Sequence, residues 1–281
     1  MNKVMLSIGH GFSARALGQH LLNEGWIVYG TTRSKEKAAA LRREGIEPII
    51  WPETNLLPYL EKATHILTSV APNPDGDPVL HAYGEELSRG SFEWVGYLST
   101  TGVYGNHDGG WVDEDTQLNP TTKRGEMRRN AEAAWSTLGL PLHIFRLAGI
   151  YGPGRGPFAK VRSGSARRII KKNQVFSRIH VDDIAQTLYA SICSPRIGAV
   201  YNLCDNDPAP PEDVIGFAAE LLGMPIPPAV NFEVAEMTPM ARSFYAENKK
   251  VRNNLIKDEL GVDLKFPDYR AGLRALLKKT D

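Results

Sequence analysis

The junction at residues 9 to 14 constrains this chain more than any other feature. Gly9-His10-Gly11-Phe12-Ser13-Ala14 follows the apolar run Val4 to Ile8 and opens a helical stripe of Ala14, Leu17, Leu21 and Leu22 that Gly25 stops. A second apolar run, Ile27 to Thr31, comes next, so the order strand, tight turn, helix, strand reads as a βαβ unit. Within the pattern G-x-G-x-x-A, Gly9 allows the turn, Gly11 lets the main chain approach a ligand without a Cβ, and Ala14 keeps the helix close to the sheet. Amides at the helix start, those of Phe12 and Ser13 among them, then face an anion with the helix dipole behind them. The turn predicts a dinucleotide held by its pyrophosphate.

Further short runs continue the alternation: Glu47 to Trp51, His65 to Val70, Trp94 to Ser99 and Leu142 to Leu147. Strands alternating with helical segments imply a parallel sheet covered on both faces, a Rossmann-type, doubly wound α/β fold. Ser34 is placed to cap a second helix that runs through Ala38 to Leu41 and ends near Gly45. After about Gly152 the pattern loosens, with Pro and Gly in 152–157, 206–211 and 225–228. The predicted organisation is a dinucleotide-binding domain over 1–152, with segments around 176–204 returning to it, and a smaller substrate lobe made mainly from 153–281. Helices are expected at Asp182 to Ile192, Pro211 to Leu222, Thr238 to Glu247, Asn253 to Leu260 and Tyr269 to Lys278, with a strand at Val200 to Leu203.

At the end of the second strand, Thr31-Thr32-Arg33-Ser34 holds no carboxylate for a ribose 2′-hydroxyl. Arg33 offers a forked cation, and Thr32 and Ser34 offer hydroxyls, a set that suits a 2′-phosphate and makes NADP the expected cofactor. The plainer reading of Arg33 is a surface cation beside a helix cap. With 33 Lys and Arg against 32 Asp and Glu, the net charge of +1 gathers no polyanion, so nucleic acid is not an expected partner. The two cysteines, Cys193 and Cys204, read as reduced thiols, and the first apolar run is far too short for a signal-peptide core or a membrane span. A cytoplasmic protein with no membrane partner is the expectation.

Four later segments carry a resemblance: Tyr97 to Gly105 (YLSTTGVYG), Arg146 to Gly154 (RLAGIYGPG), Arg178 to Ala185 (RIHVDDIA) and Val200 to Leu203 (VYNL). With the glycine turn, they make the chain similar to the extended short-chain dehydrogenase/reductases, the group of sugar-nucleotide epimerases and dehydratases, and especially to their atypical members. The resemblance spans most of the chain. It implies that Thr100 sets a hydroxyl against the substrate oxygen beside the nicotinamide, and that Ser69, Val70 and Ala71 lie along the cofactor. The plainer reading of Thr100 is a strand-end hydroxyl that caps its own backbone. The resemblance also implies pairing through a four-helix contact that includes the Arg124 helix, hence a homodimer.

The departures are chemical. The family's Tyr-x-x-x-Lys falls here on Arg124 and Arg128, which keep the i to i+4 relation and lose the phenol. A guanidinium stays protonated at neutral pH and cannot be that acid or base, although its charge can stabilise an oxyanion or bind an acidic group. Alternatively, Arg128 and Glu132 form a solvated helix pair. Gly149 and Trp51-Pro52 stand where relatives carry an Asn near substrate and an Asp near adenine. Tyr104 and Tyr151 are substitute proton donors, with aromatic packing as the bland alternative. His180 reads as a link between lobes. The cations Arg162, Arg167, Arg168, Lys171 and Lys172 suit a substrate phosphate or form a solvated helix face. Asp108, Asp113, Glu114 and Asp115 lack His or Cys partners at ligand spacing, and no metal is expected.

Two functions follow as expectations. One is an NADP-dependent oxidoreductase or epimerase-like enzyme acting on a small polar or nucleotide-linked substrate, with Thr100, Arg124, Arg128 and Tyr104 as candidate catalytic residues. The other is a catalytically silent NADP-binding sensor or interaction protein.

Overall fold

A computed structural model describes residues 3–278. In chain order the first half contains β1 (Val4–Ile8), α1 (Phe12–Asn23), β2 (Ile27–Thr32), α2 (Lys35–Arg43), β3 (Glu47–Ile50), α3 (Leu57–Leu60), β4 (His65–Thr68), α4 (Pro78–Arg89), β5 (Trp94–Thr100), a 3₁₀ turn (Thr101–Tyr104), β6 (Trp111–Val112), α5 (Lys123–Ser136) and β7 (Leu142–Leu147). The second half adds β8 (Gly149–Tyr151), α6 (Phe158–Arg162), β9 (Arg168–Ile170), β10 (Arg178–His180), α7 (Val181–Cys193), β11 (Val200–Leu203), α8 (Pro211–Leu221), β12 (Ala229–Asn231), α9 (Pro239–Phe244), β13 (Lys250–Val251), α10 (Asn254–Asp258) and α11 (Tyr269–Lys278).

Seven parallel strands form the central sheet in the order β11-β7-β5-β4-β1-β2-β3. Leu6 pairs with Tyr29 on one side and Ile66 on the other, so strand order reverses about β1. A crevice opens at the carboxyl ends of β1 and β4, the place where such sheets take ligands. All five residues of β1 are buried because helices cover both faces. Neighbouring side chains point to opposite layers: Met5 and Trp94 join the core under α1 and α7 with Leu17, Leu21, Ile184 and Leu188, while Leu6 and Val95 join Ile66, Trp135 and Leu142 on the other face.

A third core gathers Tyr151, Phe158, Val161, Val214, Ala218 and Leu273 from β8, α6, α8 and α11. Ile256, Val262 and Leu264, although late in the chain, pack into the core under α1 and α7. Three two-stranded parallel ribbons, β8 with β10, β9 with β12 and β6 with β13, tie distant segments together. Their strands are two or three residues long, too short for any period to show in the sequence. The helix expected over Thr238 to Glu247 shortens to Pro239–Phe244, with Thr238 Oγ1 accepting from the Ala241 amide at 3.2 Å. The unanticipated α4 is capped by Asp77 and broken internally at Tyr83, whose φ of −143° blurs the helical stripe.

Candidate functional site

The glycine turn after β1 is held by the ends of two neighbouring strands. Gly9 sits at φ +82°, and a Cβ there would lie 3.0 Å from Ser69 Oγ and 3.1 Å from Val70 Cγ2. Its N–H donates to Thr31 Oγ1 at 2.7 Å, and its carbonyl accepts from the Ser69 hydroxyl. The ends of β1, β2 and β4 are thereby locked together. Gly11 caps α1 with no side-chain bond, and no protein acceptor among the described residues takes the amides of Phe12, Ser13 and Ala14. Around a Cβ built on Gly11 the nearest atom is Gly9 O at 3.7 Å, so that approach is open. Unpartnered amides at the positive end of a helix suit a diphosphate.

His10 faces the other way. Its ring is wedged between α1 and β2, where Cβ atoms on Gly18 and Gly30 would come within 2.9 and 2.8 Å of it. Neither ring nitrogen has a partner among the described residues, and burial, then the charge of Arg15, lowers its pKa from 6.5 to about 4. A neutral imidazole therefore fixes the spacing of helix and strand beneath the turn.

The turn forms one end of a cleft of about 1010 Å³ whose wall includes Gly9, Gly11, Phe12, Ser13, Ala14, Ser69 and Ala71. Val70 stands behind that wall, with its side chain toward Gly9 and its carbonyl accepting from Arg128. Arg124, Arg128, Arg155, Lys160, Arg178 and Lys249 also line the cleft, against one carboxylate, Glu247. In a molecule of net charge +1, this concentrates positive potential where a ligand enters. Beyond the wall, Arg33 is exposed and its guanidinium bonds nothing among the described residues. Ser34 caps α2 by accepting from the Lys37 amide at 3.2 Å, and Thr32 Oγ1 accepts from the Ser34 amide at 3.4 Å.

Thr100 lines the cleft at the end of β5. Its Oγ1 accepts from the Gly102 amide at 3.1 Å, the capping role open to it from sequence, and the hydroxyl proton stays free to donate. Arg124 projects from the first turn of α5 with its guanidinium 5.5 Å from the Phe244 ring on α9. Arg128 lies along the wall, and its Nη1 donates to Val70 O at 3.1 Å, Tyr97 Oη at 2.9 Å and Leu98 O at 3.0 Å. It is thus a pin across the carboxyl ends of β4 and β5.

Two expectations are corrected. Glu132 is not a solvated partner of Arg128: it is buried, accepts from Arg146 Nη2 at 2.8 Å and also accepts from the Ser99 hydroxyl. Tyr104 is not a donor to the cleft. It is fully buried outside the lining, gives its proton to Asn202 Oδ1 at 2.7 Å and accepts from Arg146 Nη1 at 3.0 Å. Burial pushes its pKa up to about 12, against the pull of Arg146. Tyr151 does line the cleft, but burial and the carboxylates of Asp205, Asp183 and Asp268 raise its phenol further.

The run Arg162, Arg167, Arg168, Lys171 and Lys172 also falls outside the cleft. Arg168 donates to Pro227 O, Arg167 to Gly164 O and Ala166 O, and Lys171 to Tyr245 O, all main-chain acceptors of the smaller lobe. In its place Arg155 and Lys160 come from the segment just before, and Lys249 from far along the chain. Lys249 Nζ bonds Gly105 O at 2.8 Å and Glu247 Oε2 at 2.6 Å, and burial lowers its pKa. Nothing local in the sequence marks Lys249; the β6–β13 ribbon brings it to the cleft. His180 caps α7 through Nδ1, which accepts from the Asp182 amide at 3.1 Å. Among the described residues, no three His, Cys, Asp or Glu groups gather to hold a metal, and no helix is long and apolar enough to cross a membrane.

No family model matches the chain. A solved structure of a functionally unknown conserved protein from Silicibacter pomeroyi DSS is 56% identical, with full coverage of both chains and a TM-score of 0.95. Protein YeeZ of Escherichia coli K12 is 26% identical over 95% of this chain and 97% of its own. UDP-glucuronic acid 4-epimerase from Bacillus cereus, solved with UDP-glucuronic acid and NAD, shares the fold at 17% identity and a TM-score of 0.79, covering 99% of this chain and 100% of its own. The chain belongs to one family with the Silicibacter protein, and its structural neighbours are NAD-dependent epimerase/dehydratase proteins, consistent with an extended short-chain dehydrogenase/reductase.

Proposed function

We propose that this chain binds NADP along the ends of β1, β2 and β4 and performs oxidoreductase or epimerase-like chemistry on a small polar or nucleotide-linked substrate between the lobes. The observation that carries this reading is the uncapped start of α1, whose free amides open into a cleft with six cations and one carboxylate. Gly9, Gly11, Phe12, Ser13 and Ala14 would hold the diphosphate, with Ser69 and Ala71 along the cofactor and Arg33 on a 2′-phosphate. A nicotinamide ring, when bound, gives or takes hydride. Thr100 would donate its free hydroxyl proton as a hydrogen bond to the substrate oxygen, while the charges of Arg124 and Arg128 favour a developing oxyanion or an acidic substrate group.

A second reading, an NADP-binding sensor without turnover, is favoured by one observation. The positions where the resemblance expects a phenol and an amine hold guanidinium groups, and Arg128 is occupied as a pin. Calorimetry with NADPH and NADH tests the shared claim: tight NADPH binding that weakens in Arg33→Ala, with NADH unaffected, is the expected result. Silence toward both nucleotides defeats both readings. Nicotinamide absorbance against carbonyl compounds and nucleotide sugars then separates them, because turnover that falls in Thr100→Ala belongs only to an enzyme.

A further inference from the structure

After β8 the chain makes a tight two-residue turn. Gly152 and Arg155 exchange both main-chain hydrogen bonds at 2.9 Å across Pro153 and Gly154, with Gly154 at φ +69°. The turn is a short, rigid arm, and it presents the exposed Arg155 side chain at its tip. The guanidinium lies 5.5 Å from the ring centroid of Phe12, the first residue of α1. Gly152 lets this approach happen, since a Cβ there would meet Phe12 Cζ at 3.1 Å.

That placement is electrostatically odd. A cation stands at the positive end of a twelve-residue helix that has no acidic residue in its first turn. Among the described residues Arg155 forms no ion pair and its guanidinium donates no hydrogen bond; its side chain lies instead over the Phe12 ring. The guanidinium and the start of α1 both line the cleft, and neither offers the other an acceptor. A dianion between them would serve both at once.

We propose that Arg155 is a cofactor-binding residue supplied by the second lobe, donating to the diphosphate that the Gly11–Ala14 amides hold. The inference rests on the cofactor reading above and adds to it a contact from across the cleft. Because NADPH and NADH share the diphosphate, Arg155 serves both, whereas Arg33 serves only the phosphorylated form.

The test is calorimetry of the full chain with NADPH and with NADH, for wild type, Arg155→Ala and Arg155→Lys, at low and high salt. Loss of a charge-assisted hydrogen bond to phosphate corresponds to about ten- to a hundredfold weaker binding. Arg155→Ala should lose that factor for both nucleotides, Arg155→Lys should recover part of it, and the alanine variant should be less sensitive to salt. Without nucleotide, its melting temperature should hold or rise, because a cation leaves the positive end of α1. Unchanged affinities overturn the proposal, as does a loss confined to NADPH, which would put Arg155 on the 2′-phosphate. A lowered melting temperature of the free variant, with affinity unchanged once folded, makes the residue a structural contact and also overturns it. Wild type that binds neither nucleotide defeats the cofactor reading itself, an outcome distinct from a wild type that binds and a variant that binds equally well.

Discussion

The carboxylate of Glu132 on α5 meets the guanidinium of Arg146 on β7 at 2.8 Å, with both side chains at least 94% buried. The pair anchors a larger polar network, because Arg146 reaches Tyr104 and Glu132 reaches Ser99, beside Thr100. Removing one partner leaves the other charge buried and uncompensated. Glu132→Ala should therefore cost about 3–5 kcal/mol of folding stability. Chemical denaturation measures this, and a loss under about 1 kcal/mol would show that the charges are not held as described.

Arg128 makes a second, separable prediction. One nitrogen with two protons serves three acceptors, Val70 O, Tyr97 Oη and Leu98 O, so one of its hydrogen bonds is shared. A lysine ammonium carries three protons on one nitrogen, and Arg128→Lys should fold with stability within about 1 kcal/mol of wild type. Arg128→Met, which leaves the acceptors unserved, should lose about 1–3 kcal/mol. Thermal melts of the two variants side by side decide the matter; equal losses would rule out the pinning role.

His10 and Gly30 should be energetically coupled. A methyl on Gly30 would sit 2.8 Å from His10 Cγ and 2.8 Å from Ile46 Cγ2, so Gly30→Ala is expected to cost about 1–3 kcal/mol. In a His10→Ala background, part of that crowding disappears. A double-mutant cycle should then give a coupling of about 0.5 kcal/mol or more. Strict additivity would mean that the imidazole does not fill the gap.

The same side chain sets a pH dependence. His10 has a folded pKa of about 4 against 6.5 when unfolded, chiefly through burial. Between those values the unfolded chain binds a proton that the folded chain refuses. Its contribution is complete above pH 6.5 and drains away as the pH falls toward 4, at up to about 1.4 kcal/mol per pH unit. His10→Leu lacks that proton, so its stability relative to wild type should improve steadily through this window. Urea midpoints for both proteins at several pH values provide the comparison, and parallel curves would contradict a buried neutral ring.

Much of this architecture is written in local patterns. Val4–Ile8, Leu142–Leu147, Val200–Leu203 and Tyr269–Lys278 have the bounds that periodicity predicts, and the glycine turn joins strand to helix as its spacing requires. Such features depend on neighbours in sequence. Lys249, Arg155 and the Glu132–Arg146 pair depend instead on ribbons and packing that join distant segments, and no period reports them. The same limit explains Tyr104: a tyrosine before a glycine in a turn looks available until Arg146 and Asn202 are seen to enclose it. The basic run after Lys160 shows charge without direction: Arg167, Arg168 and Lys171 serve carbonyls, and Arg162 lies over the Phe158 ring.

Gly152 has no side chain where a Cβ would come within 2.6 Å of Val181 Cγ1 and 3.1 Å of Phe12 Cζ. The gape between the two halves of the molecule is therefore calibrated by an absent methyl group. Any larger residue there acts as a doorstop: it pries the Arg155 arm off Phe12 and the start of α1 while leaving every side chain around it chemically intact.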